Sequence, residues 1–454
     1  MNISAIFFIP ITFFTFLIAG RQFYKIYQKI HLGKSEKISG HEGQRWRNLL
    51  LVAFGQQKMF KKPIPAFLHL FIYVAFLFTQ VELIEIMMDG IFGYHRFFAP
   101  YLGVFYNIAI GLIEILSALA LVATIAFLVR RNIIRVKRFW KAEMTTWPRL
   151  DANLILMGEL ILVCAILSMN SADVMLQQLR PEEYHNTGFF PVSSIVGPLI
   201  FKNFAADWLV WIERIGWWVH VLVVYAFLLY LPFSKHLHIV LAFFNSWYSR
   251  IKPRGEMSNM PEVMNEVRSM MGLPVEASHA TNDSVVEFGA KDVMNLSWKN
   301  VLDAFTCTEC GRCTAVCPAN ITGKKLSPRK VMMDIRDRAE EISRKLHSGS
   351  SVFIAADKKQ DGPLSIQNFD DGLSLFDRIT PVEINACTAC NACVEACPVL
   401  IDPLDPILQM RRYQILMESK GPPDWVPMFN SLESSGAVWQ IPEPRSKWTE
   451  SINQ

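Results

Sequence analysis

Cys307, Cys310, Cys313 and Cys317-Pro318 spell C-x2-C-x2-C-x3-C-P, and Cys387, Cys390, Cys393 and Cys397-Pro398 repeat it without a change in spacing. Three thiolates two residues apart wrap one face of an iron–sulfur cubane. The fourth, followed by proline, reaches the neighbouring cluster in two-cluster ferredoxins. On this spacing one 4Fe–4S cluster takes Cys307, Cys310, Cys313 and Cys397, and a second takes Cys387, Cys390, Cys393 and Cys317. The rival reading is a pair of zinc knuckles, but zinc asks for four ligands, usually as two C-x-x-C pairs. Tight clustering also separates these cysteines from a secreted disulfide framework, which would spread them along the chain. All eight thiolates are used, so none is left for a redox disulfide. Such clusters carry electrons and offer no substrate site.

Histidines supply a second kind of ligand. An ionisable side chain inside an apolar span is costly and points to function. His69 lies about five residues into an apolar stretch, and His220 and His238 lie on a later one and at its inner end. Read as one continuous helix, the 18 residues from His220 to His238 make five turns. The two then face the same way about 27 Å apart and serve different sites. By depth, His238 is level with His69, and the pair reads as the axial ligands of a b-type haem near the cytoplasmic surface. Opposite His220 stand Thr79, Gln80 and Glu82, with His95 only in the outer loop. Two readings of His220 stay open: ligand of a second haem, or a hydrogen bond between helices.

The other histidines (His31, His41, His185, His236, His279 and His347) read as solvated, and Cys164 as a small apolar filler. Glu82, Glu85, Glu114 and Glu159 read either as proton carriers to a quinone or as carboxylates paired with arginine or set beside an aqueous cavity.

The elements that must position these residues follow from hydropathy. Of 454 residues, 51% are apolar and 19% charged, which excludes a disordered tail and a collagen-like repeat. Five apolar stretches, near 3–20, 64–88, 103–129, 152–172 and 208–233, reach the roughly 20 residues a helix needs to cross a bilayer. Lysine and arginine crowd the connections after the first, third and fifth stretches, among them Lys58, Lys61, Lys62, Arg130, Arg131, Arg138 and Lys235. The other two connections hold only Arg96, Arg180 and Lys202. The positive-inside rule puts the N-terminus outside and everything after residue 234 in the cytoplasm. The net charge of +4 is too small to argue for nucleic acid.

The expected fold is mainly α: a five-helix transmembrane cytochrome b-like bundle followed by a cytoplasmic α-helical two-cluster ferredoxin domain. The division is 1–250 for the membrane domain, 251–295 for a linker, 296–420 for the dicluster domain and 421–454 for a tail that docks a partner. Residues 239–250 read as a continuation of the last helix along the interface, and 348–372 as a polar loop.

WWVHVLVVYAFLLYLPFSKHLHI (217–239) resembles the last span of the membrane cytochrome b subunit of respiratory nitrate reductase, which has five spans. That subunit carries two haem-ligating histidines there at this same separation, and two more on its second span. His69 matches the first of those two, and Thr79 stands where the second is expected. SWKNVLDAFTCTECGRCTAVCPANITGKKLSPRKV (297–331) and INACTACNACVEACPVLIDPLDPILQMRR (384–412) resemble the ferredoxin segment of heterodisulfide-reductase-like Fe–S oxidoreductases. Members that fuse this segment to a nitrate-reductase-gamma-like cytochrome are similar to electron-transfer-flavoprotein:menaquinone oxidoreductases. Those relatives continue into cysteine-rich domains with a CCG signature. Here no cysteine follows Cys397, so the expectation is that these domains sit on a partner chain.

The resemblance implies a subunit of a quinone-linked oxidoreductase in the inner membrane of a bacterium. Its donor would be electron-transfer flavoprotein, acting through a cysteine-rich Fe–S partner, and its acceptor menaquinone among the membrane lipids. Two rivals stand beside it: a membrane subunit of a sulfur-linked heterodisulfide-reductase-like or sulfite-reduction complex, and a haem-free structural anchor for an Fe–S enzyme.

Overall fold

The computed structural model describes residues 3–253, 256–275, 288–348 and 369–439, with 366, 442, 446–450 and 452 beyond them. His279 and most of the 348–372 loop lie outside the described residues. The protein is mainly α. Among the described residues there is no strand, only one isolated parallel bridge between Lys34 and Ser297.

Five helices are long and apolar enough to cross a membrane. They are α1 (Ile3–Ile30), α2 (Pro63–Phe92), α3 (Val104–Leu128), α4 (Thr146–Leu179) and α5 (Ala206–Tyr230). α1, α2 and α4 cover their expected apolar stretches and run past them, because the backbone goes on satisfying its own hydrogen bonds into the flanking polar residues, whereas α3 matches its stretch to within a residue at each end and α5 stops at Tyr230, short of 233. Local chemistry sets the ends. Pro63 opens α2, where its missing N–H costs nothing. Gly93, at φ 74, closes it by donating to the Asp89 carbonyl. Bulky side chains such as Phe13, Phe14, Ile108 and Trp211 point outward from the bundle, as lipid contact requires. Cys164 is also exposed there, so it is no interior filler. Inside, α4 and α5 approach closely at Gly216, where a Cβ would lie 2.9 Å from the Ala165 carbonyl oxygen.

The fifth span does not continue into the following segment. Pro232 cannot donate to the helical ladder. The chain makes a 3₁₀ turn at Leu231–Phe233 and extends at Ser234 (φ −118, ψ 161). It turns again at Lys235–Leu237 and only then starts a separate helix, α6 (His238–Trp247). The five-turn register from His220 to His238 therefore does not hold.

The cluster domain is built on α7 (Trp298–Thr306), α8 (Pro328–Ser348) and α9 (Leu404–Leu416), with short helices around the cysteines. Ser297 starts α7 with a reciprocal capping box to Asn300. The core ignores the boundary between the two parts. Ile26 and Ile30 of α1 and Leu237 and Leu241 around α6 are buried in one cluster with Val301, Phe305, Met332, Ile335 and Met410. Backbone pairing seals the joint, with Lys34 N–H donating to Leu296 O at 2.7 Å and Trp298 N–H to Lys34 O at 2.9 Å. Gly33 allows this approach, since a Cβ there would lie 2.7 Å from the Ser297 backbone.

Candidate iron–sulfur and haem site

The two cysteine motifs fold alike. In each, the first two cysteines follow a helix end, the third lies in a short helix (Arg312–Val316 or Ala392–Ala396), and the fourth ends that helix ahead of proline. The short helices pack against each other. Equivalent positions share left-handed backbone: Glu309 and Ala389 both at φ 53, Gly311 at φ 68 and Asn391 at φ 59. Such values are uncommon outside glycine and cluster at functional sites. Here the twist aims an amide at sulfur, and Ala389 N–H donates to Cys387 Sγ at 3.4 Å. Ile401 N–H does the same to Cys397 Sγ at 3.3 Å.

The fourth cysteines cross over. The Cys313 thiol is acted on by Cys307, Cys310 and Cys397 together with Cys393, and Cys397 in turn by Cys310 and Cys307. Cys393 is acted on by Cys387 and Cys317, and Cys387 by Cys317 and Cys390. Burial pushes the thiols of Cys307 and Cys397 up to about 12. Sulfurs packed in this way become thiolates only when a metal supplies compensating positive charge. Among the described residues, no three histidine, cysteine, aspartate or glutamate side chains converge on one ion-sized point. Two sets of four cysteines fit two cubanes, each iron taking one thiolate.

The motifs differ in exposure. Cys390 is open to solvent and Cys307 buried. The first loop faces the cationic connections of the membrane part. Arg312 donates to Lys58 O at 3.2 Å and Arg329 to Arg138 O at 2.8 Å. Burial, then Arg138 and Arg312, holds Lys62 below its ordinary value, with Cys310 pulling the other way.

His69 and His238 come together at this end of the bundle. His236, which joins them, is held down at about 3 by burial, then by His238 and His69. Its ring centroid is 6.1 Å from that of His238 and 5.7 Å from that of Phe227, so it is not the solvated residue its loop context suggested. His238 Nδ1 lies 2.8 Å from the Lys235 carbonyl oxygen, and His69 Nδ1 lies 3.0 Å from Gln56 Oε1. These oxygens only accept, so each Nδ1 carries the proton and each Nε2 keeps its lone pair. An oxygen that accepts from the far ring nitrogen is the usual mark of a metal-ligating histidine. The pair fits a bis-histidine haem. His220, buried in mid-span, has Nδ1 3.3 Å from Leu162 O and stands apart from that group.

The intramembrane carboxylates are mostly engaged by other parts of the fold. Glu85 accepts from Phe98 N–H at 2.9 Å and Tyr106 Oη at 2.8 Å. Glu114 accepts from the amides of Val192 and Ser193. Glu82 sits 3.8 Å from Arg96, which also binds Asn170 and Asp173. Glu159 has no such contact among the described residues. His95 lies 3.6 Å from Asp173.

Sequence reasoning missed Gln56, Lys235 and Glu309. Glu309 alone carried a signal, as a carboxylate inside a cysteine motif.

Fold and site together define a membrane-embedded helical bundle joined to a two-cluster iron–sulfur domain, an electron-transfer protein of the oxidoreductase kind. Residues 306–401 match the 4Fe-4S dicluster domain family. The chain is 28% identical to the "Probable iron-sulfur-binding oxidoreductase FadF" of Bacillus subtilis, over 92% of this chain and 57% of that protein. It is 23% identical to the "EtfAB:quinone oxidoreductase" of Syntrophomonas wolfei, over 97% of this chain and 58% of that protein. A "Probable membrane-anchored ferredoxin" of Chromohalobacter salexigens is 32% identical over 31% of this chain and 21% of its own length. The chain thus spans under three fifths of the first two relatives. No solved structure matches it.

Proposed function

We propose that this chain conducts electrons from a cytoplasmic donor, through two 4Fe–4S clusters and a b-type haem, to menaquinone. The carrying observation is the convergence of His69 and His238, each with Nδ1 tied to an acceptor, at the end of the bundle that the first cysteine motif covers. Cys307, Cys310, Cys313 and Cys397 hold one cluster, and Cys387, Cys390, Cys393 and Cys317 the other. His69 and His238 hold the haem, and His220 ties α5 to α4. One-electron carriage belongs to the cofactors once bound, and the chain supplies ligands, spacing and a low dielectric.

The donor enters at the exposed Cys390 side, and the first motif, whose described cysteines are buried or half-buried, faces the membrane part. The printed name of the Syntrophomonas relative supports an electron-transfer flavoprotein as donor, and a cysteine-rich CCG-type Fe–S partner is proposed as the route from it. The basic connections support an N-terminus outside and the clusters in the cytoplasm of a bacterium.

The test is purification from native membranes with iron, acid-labile sulfide and haem quantified together. Both clusters and a reduced b-type α-band are expected, and a cysteine-rich Fe–S subunit should co-purify. Iron–sulfur protein without any b-type α-band sinks the quinone reading.

A further inference from the structure

Glu309 is a carboxylate where the cluster loop does not need one. It lies between Cys307 and Cys310, 3% exposed, at φ 53. Its counterpart in the second motif is Ala389, at the same φ, so wrapping the cluster requires only the backbone conformation. Buried glutamate is rare unless paired, and this one is paired twice. Oε2 accepts from Lys235 Nζ at 2.5 Å and Oε1 from Arg336 Nη1 at 2.9 Å. Lys235 is held in turn. Its Nζ also donates to Pro148 O at 2.7 Å, its amide donates to Asp151 Oδ2 at 3.1 Å, and its carbonyl accepts from His238 Nδ1 at 2.8 Å. An unbroken chain of contacts therefore runs from the loop of Cys310 through Glu309 and Lys235 to the imidazole of His238.

We propose that Glu309 and Lys235 are positioning residues that lock the His238 ring to the first cluster loop, fixing its orientation and its distance from the cluster for electron transfer. This rests on the proposed ligation of haem by His69 and His238. The step is a single electron: the reduced cluster of Cys307, Cys310, Cys313 and Cys397 loses one, the ferric haem gains one, and no bond or proton changes hands. Dithionite, a one-electron reductant, supplies the electron in the test.

Detergent-purified full-length protein carrying Lys235→Met, Lys235→Arg or Glu309→Ala is compared with wild type. Iron, sulfide and haem contents are expected to stay at wild-type levels, since Ala389 already serves the other loop. The low-spin ferric haem g-values should shift in Lys235→Met and Glu309→Ala. With sub-stoichiometric dithionite in stopped flow, growth of the haem α-band after cluster reduction should slow by about 10- to 100-fold, as for other outer-shell partners. Lys235→Arg keeps the charge and should lie between. Unchanged g-values and rates in both Lys235→Met and Glu309→Ala overturn the inference and leave the haem reading standing. Wild-type protein without a low-spin haem signal overturns the haem reading and the inference with it.

Discussion

Asn245 and Lys299 meet where the membrane part joins the cluster domain, the amide oxygen accepting from the ammonium at 2.9 Å with both side chains closed to solvent. Asn245 also donates to Val399 O at 2.8 Å, and Lys299 to Asp303 at 2.7 Å one turn along α7. One asparagine of α6 thus engages the helix before the first cysteine motif and the turn after the second.

Removing the cation should unlock that joint. Lys299→Met leaves Asp303 buried without its partner, which costs on the order of 3–5 kcal/mol. Thermal unfolding of the purified protein is expected to shift down sharply, and Lys299→Met/Asp303→Leu should recover much of the loss. A Lys299→Met protein as stable as wild type would show the pair to be dispensable.

Crossed ligation makes an asymmetric forecast. Cys397→Ser should damage the cluster of Cys307, Cys310 and Cys313, and Cys317→Ser the other, each with loss of roughly half the iron or less. Electron paramagnetic resonance of the reduced variants identifies which cluster survives. If Cys397→Ser instead removes the signal lost in Cys390→Ser, the ligands are not exchanged.

At the haem site, Gln56→Met deprives His69 Nδ1 of its acceptor. Haem affinity is expected to weaken by about 10- to 100-fold, with iron content intact, and Gln56→Glu should restore it. Spectroscopic haem titration of the apoprotein measures this, and equal affinity in Gln56→Met removes the orienting role.

Acid should loosen one contact between the parts in a defined window. Glu143, in a connection of the membrane part, bonds Arg329 and Ser327 at 2.7 Å. Burial alone would raise its pKa, but Arg329 outweighs it and holds the carboxyl below the ordinary range. A depressed folded value means stability that is present above the unfolded value of about 4.3 and lost as pH falls through the folded one. The protection of the amides in residues 137–146, taken relative to their intrinsic exchange rate at each pH, should therefore fall at acid pH in wild type. In Glu143→Gln it should already be low at neutral pH.

Much of this was legible in the chain. The cysteine spacing is set by cubane geometry, and it forecast the dicluster domain that residues 306–401 match. Hydropathy found all five spans, because lipid leaves a helix little choice. The register error has one cause: extending α5 straight through Pro232 made His220 and His238 look coaxial, when a 3₁₀ turn and an extended Ser234 lie between them. The tertiary pairings, Lys235 with Glu309 and Asn245 with Lys299, join residues too far apart in sequence for any local pattern to mark.

Gly33 admits the backbone of residues 296–298 against the exit of the first span, so the cluster domain is clasped by a segment more than 250 residues earlier in the chain as well as by α6. A carrier fastened twice cannot work as a swinging arm. Transfer between the parts is then governed by fixed spacing rather than by diffusion of a tethered domain. It should be insensitive to solvent viscosity and to the length of the chain joining α6 to α7.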